Sequence, residues 1–72
     1  MTDKPHIQVG TIYWGKLGKS ETWRKVLQIQ TRESGTAYVQ WVTVKRDYSL
    51  GNPKWSKWDT FRNWVQGVLA HE

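Results

Sequence analysis

The stretch Thr36-Ala37-Tyr38-Val39-Gln40-Trp41-Val42-Thr43-Val44-Lys45 constrains this chain most. Its β-branched and aromatic residues are those of a strand. Alternation puts Ala37, Val39 and Trp41 on one side and Tyr38, Val42 and Val44 on the other. A strand with one solvated face carries a cleaner alternation. Either both sides are covered within the domain, or one apolar side meets a partner.

The chain has 72 residues and no cysteine, so it forms one small domain with neither a disulfide framework nor a thiolate metal site. A domain of this size buries only about 60% of its unfolded surface. Six Trp, three Tyr and one Phe supply large apolar area, more than one small core encloses, which leaves indoles at the surface. Eleven Lys+Arg against six Asp+Glu give a net charge of +5, a balance suited to polyanions. No apolar run is long enough for a signal peptide or a membrane span, and the expected compartment is cytoplasmic.

Residues 1–5 are polar, contain Pro5, and read as a flexible N-terminal tail; residues 6–72 form the domain. Ile7, Val9, Thr11 and Tyr13 predict a first strand from His6 to Trp14, followed by a seven-residue loop, Gly15 to Glu21, carrying Lys16 and Lys19. A second strand spans Thr22 to Thr31. Uninterrupted alternation there groups Trp23, Leu27 and Ile29 on the core side and Arg24, Val26, Gln28 and Gln30 on the outer side. Arg32-Glu33-Ser34-Gly35 closes a hairpin to the third strand, with glycine where positive φ is cheap.

Asp47, Ser49, Gly51, Asn52 and Pro53 mark an irregular connection. Phe61, Trp64, Val65, Val68 and Leu69 then fall at i, i+3, i+4, i+7 and i+8, the stripe of an amphipathic helix, with Asp59 as its expected N-cap or Ser56 as an earlier one. The expected fold class is therefore a small α+β domain, a three-stranded antiparallel sheet with a C-terminal helix. The alternative is an SH3-like small β-barrel with a C-terminal helix, in which short strands at Tyr48–Leu50 or Lys54–Trp58 close the sheet.

No catalytic constellation is present, and the protein is read as a non-enzyme. His6 and His71 lie near opposite ends, the carboxylates are scattered singly, and no phosphate loop occurs. No metal and no cofactor is expected.

Two features point to nucleic acid. Arg24, Gln28 and Gln30 at period two, with Gln40 on the neighbouring strand, offer base-edge contacts from a sheet face. Between Lys45 and Trp58, the cations Lys45, Arg46, Lys54 and Lys57 interleave with Tyr48, Trp55 and Trp58, a mixture that neutralises phosphates and stacks on bases. Trp58 and Trp64, beside or within the helical stripe, are read as core. The succession of three strands and a helix, with Trp23, Tyr38, Trp41 and the helix start at Asp59-Thr60-Phe61, resembles the layout of AP2-type domains and of the arm-binding domains of tyrosine integrases. That resemblance implies a sheet that reads DNA and a helix that braces it; it carries no individual residue over.

The leading expectation is a small basic DNA-binding accessory or regulatory protein, with double-stranded DNA favoured over RNA and no small-molecule substrate or membrane expected. Lys16, Lys19, Lys45, Arg46, Lys54 and Lys57 are the expected phosphate contacts, Arg24, Gln28, Gln30 and Gln40 the base contacts, and Trp55 a stacking surface. Self-association through the spare apolar side of the third strand would raise affinity. The competing class is an SH3-like protein-interaction module binding a peptide or partner protein through surface aromatics.

Overall fold

The computed structural model describes residues 6–70. The expected tail at 1–5, and His71, lie outside the described residues. Five strands, β1 (Ile12–Leu17), β2 (Ser20–Thr31), β3 (Ala37–Val44), β4 (Lys54–Lys57) and β5 (Val65–Ala70), and one helix, α1 (Trp58–Trp64), make up the domain. The strands form a single antiparallel sheet in the order β4-β3-β2-β1-β5, which is not closed. The α+β class and the antiparallel sheet hold; the sheet has five strands where three were expected.

The extra strands have physical reasons. Beyond β3 the chain turns tightly: the amide of Tyr48 donates to the Lys45 carbonyl, and that of Lys45 to Ser49. Tyr48 takes φ 66° to make the turn. Leu50 bridges Val44, and after Pro53 the segment Lys54–Lys57 pairs with Trp41–Tyr38 as an edge strand. An edge is where a nearby proline is tolerated.

At the other end the helix is shorter than its apolar stripe. It stops at Trp64, and Val65 is already extended at φ −63°, ψ 129°. Val65 and Val68 are β-branched, and pairing of Val65–Ala70 with β1 outweighs helical periodicity over the same residues. Phe61, Trp64 and Val65 reach the core, whereas Val68 and Leu69 remain 36% and 37% exposed. Asp59 sits in the first turn, where its charge suits the helix N-terminus, but the N-cap position is Lys57 and has no side-chain cap bond.

The first strand also differs from expectation. Ile7 is buried in the core but lies before β1, and the supposed loop at 15–21 is a tight turn between Leu17 and Ser20, with Gly18 at φ 61°. The hairpin between β2 and β3 is as read, with Gly35 at φ 86° and the Arg32 amide bonded to the Thr36 carbonyl.

The core joins Ile7, Tyr13, Val26, Val39, Trp41, Phe61, Trp64 and Val65, with Ile29 and Trp58 packed against it. Phe61 stands edge-on to Tyr13, ring centres 6.0 Å apart, and lies 5.4 Å from Trp64. The Tyr13 hydroxyl, at the bottom of this cluster, donates to the His6 carbonyl at 2.6 Å and accepts from the Gln8 amide. No helix among the described residues is long and apolar enough to cross a membrane.

One irregularity decides which side chains share a face. In the β2–β3 ladder Val26 pairs with Trp41 and Gln28 with Gln40, so Leu27 is a bulge. Alternation reverses across it. Arg24 and Val26 face the core side with Trp41, while Trp23 and Lys25 lie on the outer side with Val44 and Val42. Val26 and Trp23 thus exchange the sides that uninterrupted alternation gives them. Val42 and Val44 are 2% and 4% exposed, so β3 is covered on both sides here and offers no spare apolar side for self-association.

Candidate nucleic-acid interface

Two adjacent register rows build the outer sheet face near the β2–β3 turn. Gln28, Gln40 and Trp55 are cross-strand neighbours on β2, β3 and β4; Gln30, Tyr38 and Lys57 form the next row. Gln28 Nε2 donates to Gln40 Oε1 at 2.7 Å, and Gln30 Nε2 donates to Gln28 Oε1 at 3.3 Å. The three amides therefore form a chain along the surface. Trp55, on the edge strand, is 39% exposed.

Arg32 completes this face from the turn that follows β2. Its guanidinium carbon lies 4.9 Å from the centre of the Tyr38 ring and 5.7 Å from that of Trp55, within the range of cation–π attraction. Neither Arg32 nor Tyr38 was among the expected site residues. The signal for Arg32 is parity: it continues the series Gln28, Gln30 past the end of the strand. At the lower margin of the face, Lys57 also lines a groove of about 360 Å³ with Gly35, Thr36, Ala37, Trp58 and Asp59.

The remaining expected contacts are elsewhere. Arg24 is not on the outer face: the bulge turns it inward, where its guanidinium lies 3.9 Å from the Trp41 ring centre and 4.2 Å from that of Trp64. Burial there lowers its pKa, because the charged form loses hydration. Lys54 shares that inner side of the β4 edge, 5.8 Å from the Trp41 ring, whose Nε1 donates to Ser56 Oγ at 2.9 Å.

Lys16, Lys19, Lys45 and Arg46 gather at the opposite end of the sheet, around the β1–β2 and β3–β4 turns. Arg46 is engaged within the domain. It lies 4.1 Å over Trp23 and contacts Glu21 Oε2 at 3.4 Å. Trp23 Nε1 donates to the same carboxylate at 2.9 Å, and Tyr48 packs on Trp23 with ring centres 5.9 Å apart. That indole hydrogen bond, followed by Arg46, holds the Glu21 carboxyl below its ordinary value. Asp47 is likewise lowered, by its hydrogen bonds from the Ser49 hydroxyl and amide.

The segment from Lys45 to Trp58, contiguous in sequence, is thus divided among three places: the upper turn, the inner edge of β4 and the outer face. Only Trp55 and Lys57 from it join the glutamines. Among the described residues no three His, Asp or Glu side chains come together in a way that could hold a metal ion. No family model, no curated protein and no solved structure matches this chain.

Proposed function

We propose that this chain is a small basic nucleic-acid-binding protein, accessory or regulatory in kind, that engages its ligand through the outer face of β2, β3 and β4. The observation that carries this reading is the two-row constellation of Gln28, Gln40, Trp55, Gln30, Tyr38 and Lys57, with Arg32 laid over both rings. It combines amides for base edges, rings for base faces and cations for phosphates, and none of its seven residues is acidic. The net charge of +5 adds long-range attraction.

Binding of a fluorescently tagged oligonucleotide, followed against salt, tests it. Neutralisation of about two phosphates by Arg32 and Lys57 predicts a log–log salt slope of about −1.4 for a single strand. Absence of binding at low salt and micromolar protein rejects the reading.

A second reading has its own support. Lys54–Lys57 is a short strand where the SH3-like alternative expects one, in a sheet that is not closed, and Trp58 lines a groove with Lys57 and Asp59. A peptide bound in that groove through aromatic contacts would show little salt dependence.

A further inference from the structure

We infer that the outer face of β2, β3 and β4 selects unpaired polynucleotide over duplex. This rests on the reading of that face as a nucleic-acid site and specifies its ligand.

The first ground is the kind of surface presented. Tyr38 and Trp55 lie on adjacent strands in successive rows, and the planar guanidinium of Arg32 is within 5.7 Å of both ring centres. Flat groups of this kind bind the faces of bases. In a duplex those faces are covered by the neighbouring base pairs, and only base edges and phosphates are accessible in the grooves. A ring platform on a sheet therefore gains its stacking energy only from bases that are free to turn onto it.

The second ground is the state of the glutamines. Bidentate pairing with an adenine edge requires an amide that offers its oxygen and its NH2 together. Gln28 already accepts from Gln30 and donates to Gln40, so turning its oxygen and its NH2 together onto one base edge would disturb the chain. Gln30 Oε1 and Gln40 Nε2, at the ends of the chain, are engaged by neither of these bonds and lie on the same face as the rings. Single hydrogen bonds beside a stacked base suit a flexible strand; they do not make the rigid edge code that duplex reading needs.

The third ground is access. Trp55 stands on β4, an edge of the open sheet, so among the described residues no further strand lies beyond it for a polynucleotide crossing from β2 to β4.

The test compares a single-stranded oligodeoxynucleotide of about 12 nucleotides, the oligoribonucleotide of the same sequence, and the corresponding duplex. At low salt at least one single strand is expected to bind about 10-fold more tightly than the duplex, and the tighter of the two assigns the sugar. Trp55→Ala should remove this margin, whereas Trp55→Phe should keep most of it; near-ultraviolet circular dichroism checks that both variants are folded. Equal or tighter binding of the duplex, or a Trp55→Ala variant that weakens duplex and single strand alike, overturns the preference while leaving nucleic-acid binding in place. Failure of all three probes to bind removes the underlying reading, and the preference with it.

Discussion

Arg24 lies over Trp41, its guanidinium carbon 3.9 Å from the ring centre, and over Trp64 at 4.2 Å. A cation that alternation assigns to the outer face is held against two core indoles because Leu27 is bulged. Its role in this position is to pack and to attract the two rings.

Arg24→Met should therefore lower stability by about 1–2 kcal/mol, the range of a partly desolvated cation–π contact. Oligonucleotide affinity of the folded variant should stay within about twofold of the parent, because the ligand-facing rows do not include this residue. Denaturant unfolding and a binding titration read the two effects separately. Lost binding at unchanged stability would place Arg24 on the ligand face after all.

Gly15 gives a sharper stability prediction. A Cβ there would overlap the Trp64 carbonyl oxygen and lie 2.5 Å from Cε2 of its indole. Gly15→Ala must push apart backbone and core and should cost about 3 kcal/mol or more. At Gly67 the nearest obstacle is Nε1 of the half-buried Trp14, at 2.7 Å, an atom of a side chain able to shift. Gly67→Ala should cost about 1 kcal/mol. Equal melting temperatures for the two variants would contradict the close approach at Gly15.

The Glu21 carboxylate accepts from Trp23 Nε1 and meets Arg46, and its pKa is lowered from 4.5. With the folded value below the unfolded one, the contact stabilises fully above pH 4.5 and is lost as pH falls through the lower, folded value. An NMR titration of the Glu21 carboxyl should give a midpoint below 4.5, moving upward in Trp23→Phe. A midpoint at or above 4.5 in the parent protein would show that the indole bond does not form in solution.

Lys19 and Lys45 lie at the far end of the sheet from Trp55. From Ser20 to Gln28 the second strand runs eight residue steps, roughly 26 Å at about 3.3 Å per residue. Lys19→Ala/Lys45→Ala should leave the affinity of an oligonucleotide too short to cross that distance unchanged, and should weaken a longer one. Measuring both lengths by anisotropy distinguishes a phosphate track from a general basic surface, which would lower both alike.

Much of this arrangement is legible in the residues themselves. The β2–β3 hairpin follows from Arg32-Glu33-Ser34-Gly35, and the core roles of Val39, Phe61 and Trp64 follow from apolar periodicity. Gln28, Gln30 and Gln40 gather as their parity implies, because all three lie beyond the bulge. Arg24 and Trp23, before it, are on the wrong sides for the same reason: one inserted residue reverses alternation, and nothing local to Val26-Leu27-Gln28 announces it. Val65 to Ala70 satisfies a helical stripe and a strand equally well, and only the availability of β1 as a pairing partner decides between them.

The most direct test of the proposed interface is a map of backbone amide shifts during titration with a single-stranded oligonucleotide. The largest changes are expected on Gln28, Gln30, Arg32, Tyr38, Gln40, Trp55 and Lys57, with the Trp55 indole N–H among them. Changes confined to the turns around Lys19 and Arg46, or an unperturbed spectrum at saturating oligonucleotide, would contradict it.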